Sequence, residues 1–157
     1  MKIYFMRHAE AADGADDHAR PLTEHGRHDA RKLAQFLAKS GIGFDAACTS
    51  PLVRARQTAE IVLKYAAAEK CVPLEIADAL TNAAGPAEFD RWLHELAPAR
   101  HLLLVGHEPG ISERVRRFVG IVRPAGFEMP KGAIACVETA DRRAGVLKMF
   151  QIGRAHV

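Results

Sequence analysis

The sequence predicts an α/β fold: a three-layer sandwich with a mostly parallel central sheet flanked by helices and an antiparallel hairpin at its C-terminal end. Three observations lead there. Short apolar runs of strand length alternate with segments of helical period over the first two-thirds of the chain. The last third reads as two strands about a polar turn. The 157 residues suffice for one core and are too few for two ordinary ones.

Residues 2–6 read as a buried strand, and residues 7–22 as a polar loop carrying Gly14, Asp16, Asp17, His18 and Arg20-Pro21. Thr23 stands as N-cap to a helix over roughly 24–39, in which Ala30, Leu33, Ala34 and Leu37 recur at helical spacing and Gly41 supplies the stop. Phe44 to Cys48 is a second strand. Ser50 is placed to cap the next helix, with Pro51 in its first turn, where the missing N–H costs nothing. Leu52, Ala55, Ala59, Val62 and Leu63 form its apolar face. Val72 to Ile76 reads as a third strand, 79–85 as a loop, and Pro86 as the start of a helix that Pro98 closes, with Phe89, Trp92, Leu93 and Leu96 as core rather than substrate platform. His101 to Val105 is the strongest buried strand, followed by a helix over about 111–119; 132–137 and 146–150 make the hairpin.

One domain over residues 1–150 accounts for these elements. Residues 151–157 (Gln-Ile-Gly-Arg-Ala-His-Val) look like translated sequencing-adapter read-through and are expected to be a non-native tail. Composition narrows the function classes. With 48% hydrophobic and 26% charged residues the chain is globular, and its first apolar run is too short for a signal core or a membrane span, so a cytoplasmic protein with no membrane partner is expected. A net charge of +3 gives no reason to expect nucleic acid. Cys48, Cys71 and Cys136, odd in number and far apart, suggest neither a disulfide framework nor a thiolate zinc site. Nothing in the sequence specifies an oligomeric state.

The chemistry concentrates where strands end. The first and fourth strands run into Arg7-His8 and Gly106-His107, and adjacent parallel strands bring both imidazoles to one carboxyl edge. Arg54, just beyond the second strand, and Arg20, in the first loop, reach the same edge. Arginines repel a divalent cation but match phosphate oxygens with two parallel N–H donors, so phosphate is the expected ligand and neither a metal nor a cofactor is. An imidazole whose Nδ1–H is held by a backbone carbonyl presents an Nε2 lone pair able to attack phosphorus. The arginines around His8 are expected to lower its pKa.

Met6-Arg7-His8-Ala9-Glu10, Arg20-Pro21-Leu22-Thr23 with Gly26, Thr49-Ser50-Pro51-Leu52-Val53-Arg54-Ala55-Arg56-Gln57-Thr58-Ala59 and Val105-Gly106-His107 occur in the order found in the histidine phosphatase superfamily, which this chain resembles. Its compact length and the segment Ala79 to Gly85 are similar to the SixA-type phosphohistidine phosphatases. The resemblance implies a phosphoglycerate-mutase-like fold, His8 as nucleophile, Arg7, Arg54 and His107 as phosphate pocket, and Arg20 as a further oxygen ligand. It also implies a phosphohistidine-bearing protein or a small phosphorylated molecule as substrate. Many relatives that cleave alcohol esters carry a glutamate in the loop after the third strand; Thr81 and Asn82 stand there in this chain. A phosphoramidate nitrogen accepts a proton more readily than an ester oxygen, so the departure favours phosphohistidine, with Glu10, Asp16 and Asp78 as carboxylates that can substitute.

Two alternatives accompany that reading: a phosphatase of small metabolites on the same fold, and a non-catalytic phosphate-binding module. A mutase is disfavoured by the missing glutamate and the short chain. His18, His25, His28 and Arg56 read as solvated surface residues, and the basic run Arg114, Arg116, Arg117 and Arg123 as a charged helix face rather than a docking patch.

Overall fold

The computed structural model describes residues 1–152. Six strands form one sheet: β1 (Lys2–Arg7), β2 (Ala46–Thr49), β3 (Leu74–Ile76), β4 (His101–Gly106), β5 (Ile134–Thr139) and β6 (Gly145–Gln151), in the order β3-β2-β4-β1-β5-β6. β1, β2, β3 and β4 are parallel; β5 and β6 are antiparallel to their neighbours. Four helices complete the fold: α1 (Glu24–Lys39), α2 (Val53–Ala66), α3 (Pro86–Glu95) and α4 (Gly110–Val119).

The period of two in β1 explains the sandwich. Tyr4 and Met6 point to a core with Leu33, Leu37, Ala55, Ala59 and Val62 of α1 and α2, while Ile3 and Phe5 point to the other with Phe89, Leu93, Ile111, Val115 and Phe118 of α3 and α4. In β4, Leu102 and Leu104 join the second core, Leu103 and Val105 the first. A strand buried on both faces has no polar alternation, which is why β4 reads as one apolar run.

Thr23 caps α1, its hydroxyl oxygen accepting from Gly26 N–H at 2.9 Å, and Gly41 beyond the helix end has φ +75°. Gly26 is required by crowding: a Cβ there would stand 2.2 Å from the Glu10 carbonyl oxygen. Trp92 packs on the core beside fully buried Phe89. Several boundaries shift, two of them around the second strand and the helix after it. The second strand begins at Ala46, because Phe44 forms only an isolated bridge to Ala67. α2 begins at Val53 with Leu52 as its unassisted cap, since the Ser50 hydroxyl is engaged elsewhere. Of the proposed tail, Gln151 pairs with Ile134 in the sheet; residues 153–157 lie outside the described residues.

Candidate active site

The register of β1 and β4 builds the site. Arg7 lies opposite Gly106, so His8 and His107 emerge side by side at the carboxyl edge, their ring centroids 5.1 Å apart. Both are buried, as is Arg54 in the first turn of α2. His8 Nδ1 lies 2.7 Å from the Ala9 carbonyl oxygen, which can only accept, so Nδ1 carries the proton. Nε2 is then an acceptor, with Arg54 Nε 3.3 Å away donating to it. This is the tautomer that the nucleophilic reading requires.

Two buried nitrogens beside His8 have no partner among the described residues: Arg7 Nε, a donor, and His107 Nδ1. Arg7 is anchored by Nη1, which donates to the Met129 carbonyl oxygen at 3.0 Å. His107 is anchored by Nε2, 2.6 Å from Ser50 Oγ. Leu52 N–H donates to the same serine oxygen at 3.4 Å; in the tautomer where the hydroxyl donates to Nε2, the imidazole's own proton stands on Nδ1. A buried guanidinium N–H left open in this way can donate a charge-assisted hydrogen bond to an anion.

The fourth expected cation, Arg20, joins the site through an acidic bridge. Its Nε donates to the Ala12 carbonyl oxygen and its Nη1 to Asp17 Oδ1 at 2.9 Å, so it reaches the site only through Asp17. Asp17 also holds Arg54, by its carbonyl oxygen at 2.7 Å and by Oδ2 at 3.2 Å. The two arginines keep the Asp17 carboxyl below its ordinary pKa. A carboxylate on Arg54 competes with any incoming anion. Asp17→Ala should therefore tighten inorganic phosphate binding by roughly 2- to 5-fold, the worth of an exposed ion pair; calorimetry giving weaker binding in the variant would show that Asp17 supports the site instead.

Sequence reasoning missed three contributors. Ser50 was assigned to cap a helix, yet it orients His107. Thr58 donates to the Arg54 carbonyl oxygen at 2.7 Å and accepts from Ala9 N–H at 3.1 Å, tying α2 to the nucleophile loop. Its spacing of four from Arg54 was the available signal, since it puts both on one helix face. Asp17 had no such signal. Of the candidate carboxylates, Glu10 accepts from the Thr23 hydroxyl and Asp16 from His18 N–H. Three arginines of the basic run are engaged internally, while Arg123 is exposed: Arg114 donates to the Ala79 and Thr81 carbonyl oxygens, Arg116 to that of Phe127, and Arg117 pairs with Asp90.

His8 is pushed down to about 3 and His107 to about 4. For His8 burial is the largest cause, with His107, Arg54 and Arg7 adding to it, so the direction agrees with expectation while the leading cause is desolvation rather than the arginines. The consequence for stability has a definite sign. Below the ordinary value of 6.5 an unfolded chain takes up a proton that folded His8 refuses, so stability present above pH 6.5 is lost as pH falls toward 3. Urea unfolding should show wild-type stability falling between pH 6.5 and 4 and His8→Asn falling less; equal slopes would remove His8 as a source.

The sequence pattern of the histidine phosphatase superfamily (branch 1) matches residues 3–90. The chain belongs to that superfamily. An uncharacterised protein of Picosynechococcus sp. is 43% identical over 118 residues, covering 72% of this chain and 70% of that one. The phosphohistidine phosphatase SixA of Escherichia coli is 40% identical over 63 residues, 40% of this chain and 39% of that protein. Among solved structures, the protein histidine phosphatase SixA complexed with tungstate superposes with a TM-score of 0.87 at 26% identity, covering 98% of this chain and 97% of that one. A putative α-ribazole-5′-P phosphatase of E. coli shares the fold, with a TM-score of 0.74 at 20% identity and full coverage of both chains. This member of the superfamily is a phosphatase, a hydrolase with SixA-like similarity. Among the described residues no helix is long and apolar enough to cross a membrane.

Proposed function

We propose that the chain is a metal-independent phosphohistidine phosphatase in which His8 Nε2 takes the phosphoryl group. The observation that carries this reading is the His8 tautomer: Nδ1 is committed to the Ala9 carbonyl and Nε2 is left as a lone pair beside Arg54. Around it stand the unpartnered nitrogens Arg7 Nε and His107 Nδ1. A phosphoryl group attacked by Nε2 would place its equatorial oxygens among Arg7, Arg54 and His107, whose fixed donors stabilise the charge that redistributes in the transition state. The phosphohistidine at His8 is then cleaved by water. A SixA of this fold is complexed with tungstate, an oxyanion, which supports an oxyanion ligand for this chain.

Two features support a phosphohistidine-bearing protein as the substrate. Thr81 and Asn82 stand where ester-cleaving relatives carry a glutamate, and neither is an acid: Thr81 donates its hydroxyl to the Asp78 carbonyl oxygen, and Asn82 donates to the Glu108 carbonyl oxygen and accepts from Gly110 N–H. The cavity beside Arg7, lined also by Glu108, Glu128, Met129 and Pro130, is open, with about 440 Å³ to receive a side chain carried by another protein. Small phosphate esters are the second reading, favoured by the α-ribazole-5′-P phosphatase likeness. Turnover in EDTA of a phosphohistidine protein against a panel of phosphate monoesters tests the proposal. A higher kcat/KM for the phosphohistidine protein is expected; preference for one small ester would overturn the substrate assignment, and loss of activity in EDTA the mechanism.

A further inference from the structure

We infer that Glu108 is the proton donor to the leaving group when the substrate is a phosphate ester of an alcohol, giving this site an ester-cleaving activity from the strand-end loop after β4. The inference rests on His8 as nucleophile. It assigns a second substrate class to that site and names the residue that opens it.

Glu108 follows His107 directly and lines the same 440 Å³ cavity as Arg7. Its position is fixed by a chain of hydrogen bonds running back to that arginine. Arg7 Nη1 donates to the Met129 carbonyl oxygen at 3.0 Å, and Met129 N–H donates to Ser112 Oγ at 2.9 Å. The Ser112 hydroxyl, accepting from Met129, donates onward to Glu108 Oε1. Ser112 and Met129 are 0% and 1% exposed, so the middle of the relay is shielded from water. Since Oε1 is an acceptor in this chain, a proton on the carboxyl sits on Oε2.

The surroundings favour that proton. Burial is the main influence raising the Glu108 pKa and Glu128, before β5, adds to it, while Ser112 on α4 and Arg7 on β1 oppose; the net direction is upward. A half-buried carboxyl with a raised pKa, held beside a phosphate-binding arginine, is what a general acid requires. The other carboxylates considered for this role are placed differently: Glu10 and Asp16 are held by Thr23 and by the backbone of His18, and Asp78 is exposed and does not line this cavity.

The step balances simply. His8 Nε2 forms a bond to phosphorus as the P–O bond to the alcohol breaks, and the departing oxygen takes the Oε2 proton, leaving neutral alcohol and a Glu108 carboxylate. Water then attacks the phosphohistidine and gives a proton to Glu108. The P–N electron pair returns to Nε2, and inorganic phosphate departs with both partners regenerated.

A proton donor matters in proportion to the basicity of the leaving oxygen. Glu108→Gln keeps the acceptor for Ser112 and removes the acid. It should lower kcat/KM for an alkyl phosphate by about 10²-fold and lower that for para-nitrophenyl phosphate, whose phenolate leaves unaided, far less. A purely structural residue would depress both alike. Equal losses, or none for the alkyl ester, would overturn the assignment. If Glu108→Gln fails to fold, Glu108→Asp is read by the same ratio, a larger fall for the alkyl ester being expected and equal falls contradicting it. His8→Ala on both esters separates the two proposals: turnover surviving in that variant defeats the nucleophile whatever the Glu108 ratio shows, and a wild type that cleaves neither ester defeats the ester activity alone if it still cleaves the phosphohistidine protein.

Discussion

His8→Ala is expected to lower turnover by on the order of 10⁵-fold while leaving the protein folded. The hydrogen-bond pattern leaves the imidazole as a nucleophile: Nδ1–H is fixed on the Ala9 carbonyl, and Nε2 is a lone pair beside Arg54 Nε. With its pKa held near 3 by burial, the ring is neutral at any ordinary pH, so no proton has to be removed before attack. The fold should survive because His8 adds little to either core and its removal relieves a desolvated group. Steady-state kinetics beside circular dichroism check both halves, and a folded variant with wild-type turnover would remove the mechanism.

Arg54→Ala should cost about 10²–10³-fold in kcat, the typical loss for a fixed donor that acts on charge developing in the transition state. Arg54 Nε lies 3.3 Å from the nucleophilic nitrogen, so a phosphoryl group bonded to Nε2 falls within reach of its guanidinium. Arg54→Lys should recover only part of the loss, because an ammonium offers a point charge where two parallel donors are needed. An unchanged kcat in Arg54→Ala, with only KM raised, would reduce Arg54 to ground-state binding. Thr58, which holds the Arg54 carbonyl and the Ala9 amide, keeps the helix start and the nucleophile in register.

The parts of this site that follow a strand were legible in the sequence, and the parts delivered by loops were not. Arg7-His8 and Gly106-His107 each terminate an apolar run, so pairing β1 with β4 in parallel was enough to bring the histidines together. Arg54 was legible as the first turn of the helix after β2. The partner of Arg20 was not legible, because a loop residue's target depends on its neighbours, and here it is Asp17, which also pairs with Arg54. Ser50 illustrates a different failure. Serine before proline at a helix start satisfies the local capping rule, but His107, 57 residues away, competes for the same hydroxyl and wins. The relay from Arg7 through Met129 and Ser112 to Glu108 joins four segments and has no periodic signature. Element boundaries moved by one or two residues for a similar reason: pairing partners, not composition, decide where β2 and β5 begin.

The central claim is that the phosphoryl group passes through His8. Rapid mixing of the enzyme with an equimolar phosphohistidine protein, followed by alkaline quench and peptide mass spectrometry, reads it most directly. A transient phosphoryl group on His8, alkali-stable and acid-labile, that rises and decays within one turnover is the predicted result. A phosphoryl group on another residue, or a completed turnover in which His8 is unmodified at every time point, would contradict it.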